Sequence, residues 1–285
     1  MIKLITDSTC DLPKDILEEN NIDVFPLLVT LGDDVFYDGI DIKPKDIYEY
    51  VQKTGQLPKT ASRSVYDLKE MFEEYTKNGD DVIFCGIGGN LSSNQANAEM
   101  ARNEMENKEK VHVVDSCNLS LGIGFVLLEG AKAIKQLKTV EEVVAVMNKT
   151  AQNIQGSFIV DRLDYLYKGG RCSRFSFSMA TFLKIKPRLE VVKGVLANTG
   201  KEIGPYKVVL KKYVDYILNK FKKPKKDLCF IAHTKCDEEY LKTVKEYIES
   251  KNIFEKVLMY EAGSVITSHC GENTIGMFFK NEEEI

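Results

Sequence analysis

Three of the 285 residues are histidines, and one stands among side chains suited to hold an anion. His112 and His233 lie in or at the end of apolar, β-branched runs. His269 instead sits in Gly263-Ser264-Val265-Ile266-Thr267-Ser268-His269-Cys270-Gly271. This stretch reads as a small-residue loop with hydroxyls beside the imidazole and glycines at both ends. Glycines let the backbone turn tightly and approach a ligand closely. Hydroxyls and an imidazole can hold an anion by hydrogen bonds. A capped turn with a solvent-facing histidine accounts for the same residues equally well.

Other segments offer matching chemistry, each with a plainer structural explanation. Gly86-Ile87-Gly88-Gly89-Asn90-Leu91 follows a predicted strand, and Ser92 and Ser93 open the helix after it. Backbone N–H groups and serine hydroxyls converge at such a junction and suit an anion; Ser92 also suits plain helix capping. Leu57-Pro58-Lys59-Thr60-Ala61-Ser62-Arg63-Ser64 supplies Thr60 and Ser62 ahead of another helix, where a capping role is the cheaper reading. Asp7 and Asp115 stand at strand ends, where open α/β sheets bind ligands. Paired carboxylates could serve acid–base chemistry or a metal, but no second metal-ligand cluster accompanies them, which favours loop anchoring. Lys168-Gly169-Gly170-Arg171 forms a tight helix stop. It presents Arg171 either to solvent or to an anionic ligand.

The elements that must position these residues alternate. Ile2–Thr6, Val82–Gly86, Val111–Val114, Ser157–Val160, Leu228–Ala232 and Lys256–Tyr260 read as buried strands. Pro13–Asn20, Val65–Lys77, Asn94–Asn107, Leu121–Leu137 and Val140–Asn153 read as helices between them. The pattern implies an α/β fold with a parallel sheet. Val24–Ile42, around Gly32-Asp33-Asp34, reads as a hairpin, as do Arg188–Val192 and Val195–Asn198 around Lys193-Gly194. A long helix from about Pro205 to Phe221 follows the second hairpin. We expect an N-terminal parallel-sheet domain over 1–158 and a mixed α+β domain over 159–285, with no flexible spacer between them.

Bulk properties narrow the function. A hydrophobic content of 44% supports a substantial core. The net charge of −4 argues against nucleic acid as the main partner. The basic run Lys220–Lys226 reads as a solvated connection. Seven cysteines without a C-x-x-C indicate neither a disulfide framework nor a zinc site. No run is apolar enough to span a membrane, and the N-terminus enters a strand directly, so a cytoplasmic protein is expected. The dinucleotide fingerprint lacks its third glycine, with Leu91 in that place. Phosphate-loop, nucleophile-elbow and zinc-protease motifs are missing.

Several short motifs occur together and in order. They are Asp7-Ser8-Thr9-Cys10-Asp11-Leu12-Pro13, Tyr37-Asp38-Gly39-Ile40-Asp41-Ile42, Pro58-Lys59-Thr60 and Leu91-Ser92. Asp115-Ser116 with Gly122-Ile123-Gly124, Leu166-Tyr167-Lys168-Gly169-Gly170-Arg171, Leu183-Lys184-Ile185-Lys186-Pro187 and Val265-Ile266-Thr267-Ser268-His269 complete the set. Across essentially its whole length the chain resembles the DegV family of bacterial fatty-acid-binding proteins.

That resemblance implies two α/β domains with one long-chain fatty acid, such as palmitate, stearate or oleate, buried between them. It also implies architecture related to the substrate-binding subunit of dihydroxyacetone kinase. Family members act as the acyl-binding subunit of a bacterial fatty acid kinase, so a separate ATP-binding kinase subunit is the implied partner. The implied role is carrier rather than enzyme, with no catalytic residue, cofactor or metal. By match to the family motifs, Thr60, Ser92 and His269 look like the carboxylate ligands, and Arg171 like a kinase-facing rim residue. Phe158, Phe177, Met179, Phe182, Leu183 and Ile266 are candidates for lining the tail.

The energetics suit such a role. About 14 methylenes at roughly 0.8 kcal/mol each give a C16 tail an upper bound of about 11 kcal/mol. The buried carboxylate needs donors to offset its desolvation. Three departures from the family pattern stand out. Ala61 replaces a serine, Gly271-Glu272-Asn273-Thr274 places a negative charge near His269, and Val209 stands where an arginine is common. Alternative readings are a self-sufficient small-molecule enzyme of the dihydroxyacetone-kinase type and a lipid-sensing regulator.

Overall fold

β1 (Ile2–Asp7) is buried on both faces from Leu4 onward, as a central parallel strand must be. The computed structural model, which describes residues 1–161, 164–170 and 185–284, places it between two parallel neighbours. Helix α1 (Lys14–Glu19) leads to β2 (Ile22–Phe25) on one side; β6 (Asp81–Gly86) and β7 (Val111–Asp115) continue the sheet on the other. The order β2-β1-β6-β7 is the expected parallel sheet.

A small antiparallel sheet interrupts this pattern. β3 (Leu28–Leu31) pairs with β4 (Asp34–Tyr37) across Gly32-Asp33, and with β5 (Lys59–Ala61) on its other edge. The hairpin expected over Val24–Ile42 is thus the β3–β4 pair alone. Its first residues belong to β2, where Val24 and Phe25 pair with Thr6 and Asp7. Helix α2 (Pro44–Thr54) separates β4 from β5. Helix α3 (Val65–Thr76) begins at a reciprocal cap, Asp67 N donating to Ser64 Oγ and Ser64 N to the Asp67 carboxylate. Thr60 therefore caps nothing; it is a strand residue paired with Val29.

After β6 come α4 (Asn94–Asn103) and β7, then α5 (Leu121–Lys135) and α6 (Val140–Ala151). The second sheet has the order β10-β9-β8-β13-β11-β12. Its strands are β8 (Ile154–Ile159), β9 (Ile185–Val192), β10 (Val195–Ile203), β11 (Pro224–His233), β12 (Val257–Glu261) and β13 (Ile275–Asn281). α7 (Asp164–Lys168) follows β8, and α8 (Tyr206–Lys220) and α9 (Glu238–Ser250) cover one face of the sheet. α10 (Ser264–Cys270) links β12 to β13. β9 and β10 form the second expected hairpin around Lys193-Gly194. β13, central and buried throughout, has no counterpart in the sequence reading.

The boundary expected at residue 158 falls inside β8. That strand pairs with β9 and β13 along its length, so the chain changes sheets between α6 and β8. α5 explains why no spacer is needed. From Leu121 to Leu127 every residue is buried. A helix apolar all round has to be enclosed on all sides. It touches β1 and β6 of the first sheet and β8, β11 and β13 of the second. One core runs continuously from Leu4 through Phe125 to Phe278.

Two other expectations shift. Val209 is fully buried among Ile159, Tyr213 and Ile231, so this position cannot present a side chain to a partner. Glu272 pairs with Lys235 at 2.9 Å, which offsets the charge it was expected to bring near His269.

Candidate functional site

His269 lies on a helix, not in a loop. Six of the seven residues of α10 are buried, and His269 is the half-buried exception near its C-terminal end. The helix forms because its first N–H groups have acceptors from the other half of the molecule. Asp11 accepts from Gly263 N at 2.8 Å, and Asp38 from Ser264 N at 2.9 Å and Val265 N at 3.4 Å. Side-chain oxygens at a helix N-terminus satisfy its orphan donors. The hydroxyls beside His269 are spent internally: Ser268 donates to Ser264 O and Thr267 to Ala262 O.

The imidazole meets a side chain 209 positions away. His269 Nε2 lies 2.7 Å from Thr60 Oγ1. β5 presents Thr60 on the opposite face from Lys59 and Ala61, because strand side chains alternate. Ser92 arrives from the β6–α4 loop, its Oγ accepting from Asn94 N at 3.2 Å, so part of its role is the capping expected of it. Ser62 Oγ and Ser93 Oγ, 2.8 Å apart, tie the β5 loop to the start of α4.

These groups head a cavity of about 260 Å³. Thr60, Ser62, Ser92, Ser93 and His269 form its polar end. The remaining wall is almost entirely apolar, with Leu27, Ile87, Leu91 and Leu119 from the N-terminal half. Phe158, Leu166, Leu196, Val265, Ile266 and Cys270 come from β8, α7, β10 and α10. A smaller cavity of about 20 Å³ continues inward toward Ala232, Gly276 and Phe278. Leu119, Phe158, Ile266 and Cys270 border both. The site lies off the carboxyl end of β6, where a parallel sheet opens a crevice.

The buried acids act as anchors. Asp7 accepts from Thr9 N, Ile87 N and Asn94 Nδ2, pinning the loop that carries Ser92. Asp115 accepts from Gly89 N and Cys117 N. Burial raises the carboxyls of Asp7 and Asp38 above the usual range and pushes Asp11 to about 8, although each receives hydrogen bonds. Asp11 accepts from Ser120 Oγ at 2.5 Å. Among the described residues no cluster of histidine, cysteine and acidic side chains could hold a metal ion, and no helix is long and apolar enough to cross a membrane.

The structure brings Thr60, Ser92, His269, Phe158 and Ile266 to one cavity. Arg171, Phe177, Met179, Phe182 and Leu183 lie outside the described residues. Sequence reasoning missed the walls Leu27, Ile87, Leu91, Leu166 and Leu196, and the helix anchors Asp11 and Asp38. The anchors had a signal, since both lie in segments singled out for their motifs. Leu91 and Leu166 also stand in such segments, whereas Leu27 and Leu196 had no signal, because an apolar residue facing a cavity reads like any core residue.

An arrangement of hydroxyls and an imidazole heading an apolar cavity can hold an amphiphile by a small anionic or polar head. Comparison with known proteins bears on this. The model of the family described as "Uncharacterised protein, DegV family" matches residues 1–282. A DegV domain-containing protein of Clostridium perfringens is 32% identical, over 99% of both chains. A solved DegV family protein from Thermus thermophilus, described for its fatty acid binding, superposes with a TM-score of 0.89 at 27% identity, covering 98% of this chain and 99% of that one. Bacillus subtilis DegV, described as a fatty acid binding protein, superposes with a TM-score of 0.84 at 26% identity, covering 99% of each chain. With the motifs, the two-sheet architecture and the family model in agreement over nearly the whole length, the chain belongs to the DegV family.

Proposed function

We propose that this protein binds one long-chain fatty acid and presents its carboxylate to a separate kinase subunit for acyl-phosphate formation. The observation that carries the reading is the Thr60–His269 contact at the head of a cavity whose other walls are apolar. The Thr60 and Ser92 hydroxyls donate to the carboxylate, and His269, whose Nε2 already meets Thr60 Oγ1, shares its N–H between that oxygen and the head group; a carboxylate buried without partners would cost several kcal/mol. The tail runs along Leu119, Phe158 and Ile266 toward the smaller cavity. A long chain crosses the side chains that border both cavities by displacing them.

The position of the polar end supports the carrier role. Ala61 and Ser93, both exposed, flank the hydroxyls, so a head group held there faces solvent and any docked partner. Arg171 is assigned the kinase-facing rim by family likeness alone. Val209 gives no support to a separate regulatory role, since it is buried in the second core. On this reading the protein works in the cytoplasm and supplies no catalytic group of its own.

Native mass spectrometry of protein purified from bacteria should show one co-purified C14–C18 acid. Ser92→Ala with His269→Ala should weaken binding of palmitate far more than binding of hexadecanol. Equal losses would sink the carboxylate assignment, and ATP turnover by the isolated chain would sink the carrier role.

A further inference from the structure

The two glycines of Lys168-Gly169-Gly170-Arg171 do different jobs. Gly170 takes a left-handed φ of +71° and, with nothing near it, ends α7 by backbone conformation alone. Gly169 has no such φ, and Gly169 N still donates to Tyr165 O at 2.9 Å as the helix continues. Its backbone does not call for glycine. Space does: a Cβ at 169 would lie 2.6 Å from His269 Nδ1 and 2.9 Å from Tyr165 O. The packing is reciprocal, since a Cβ at Gly271, just after α10, would lie 2.8 Å from the Tyr165 ring. Helices α7 and α10 thus meet through two bare positions, one of them on the imidazole.

We infer that Gly169 is a positioning residue for His269. Its missing side chain lets the end of α7 lie against the imidazole and holds Nε2 toward Thr60 and the head of the cavity. This rests on the proposed carboxylate reading and adds a residue that touches no ligand. A methyl group at 169 displaces the ring, so it acts on recognition of the head group and not on the tail.

The test compares palmitate with hexadecanol by titration calorimetry on delipidated wild type, Gly169→Ala, Gly170→Ala, His269→Ala and the Gly169→Ala/His269→Ala double variant. Gly169→Ala should lose about tenfold in palmitate affinity, the value of one hydrogen bond of about 1.4 kcal/mol, while hexadecanol binding stays within about twofold. Gly170→Ala should lower the melting temperature and leave the acid-to-alcohol ratio unchanged. In the double variant the ratio should equal that of His269→Ala alone. A normal ratio in Gly169→Ala, beside a lost one in His269→Ala, overturns the positioning role only. A normal ratio in His269→Ala overturns the carboxylate reading itself. If Gly169→Ala does not fold, recovery of folding in the double variant supports the inference, and failure of both assigns the collision to the Tyr165 carbonyl and overturns it.

Discussion

The two faces of the six-stranded sheet use the same strands for opposite ends. On β8, β11 and β13 one set of alternating residues, Ile159, Cys229, Ile231, Met277 and Phe279, packs under α8 and α9. The other set, Phe158, Phe230, Ala232 and Phe278, faces α5 and the cavities. The first face is closed even to polar groups: the Tyr213 hydroxyl reaches in to contact Ser157 Oγ at 2.8 Å and accepts from Met277 N at 3.0 Å. The second leaves empty space over the same strands. A binding cavity here is one face of a sheet deliberately underfilled, with the other face supplying rigidity.

The sharpest way to break this comparison is to truncate one aromatic on each face. Phe279→Ala should cost about 3–5 kcal/mol, the range for emptying a packed core site. Phe158→Ala already borders a void, so urea unfolding of delipidated protein should show a smaller loss. The lipids it retains should shift to longer chains, because Phe158 stands between the two cavities. Equal losses and an unchanged lipid profile would erase the distinction between the faces.

A finer test separates head from tail. Thr60→Val keeps the β-branched shape that suits β5 and removes the hydroxyl. Palmitate affinity should fall about tenfold, from the loss of one hydrogen bond, with hexadecanol unaffected. A loss shared by both ligands would assign Thr60 to packing.

A separate test concerns the anchor of α10. Asp11 keeps its proton up to about pH 8 in the fold, whereas an unfolded aspartate releases it near about pH 4. Between these values the folded protein binds more protons than the unfolded one, so this group's contribution to stability falls as pH rises and levels off above about 8. Asp11→Asn removes that slope while keeping an acceptor for Gly263 N. The stability of wild type relative to the variant should therefore decline from pH 5 to pH 8 in urea unfolding. Parallel curves would show that Asp11 is not held neutral.

Legibility in the sequence followed the range of the interactions. β1, β6, β7, β11 and β12 announce themselves because continuous apolar runs are what buried parallel strands require. α3 and α6 start at local caps, Ser64 with Asp67 and Thr139 with Glu142, which need no tertiary information. α10 did not read as a helix because its N-terminal partners, Asp11 and Asp38, are more than 220 residues away. β13 was missed although Ile275–Phe279 is as apolar a run as β11; only its end, Lys280 and Asn281, looks like surface, and Lys280 is in fact buried between Glu129 and Asp227. At the site, residue types pointed to His269 and Ser92, while Thr60 looked like a helix cap until β3 pairing turned it inward.

The place of β13 also bears on how the sheet holds together. Without residues 275–281 the second sheet would divide into two pieces, β10-β9-β8 and β11-β12, each with an open edge toward the other. Such edges are unpaired and adhesive. The wall formed by Gly276 and Phe278 therefore closes only when this strand joins the two pieces. One strand thus both seals the two open edges of the sheet and completes the cavity wall.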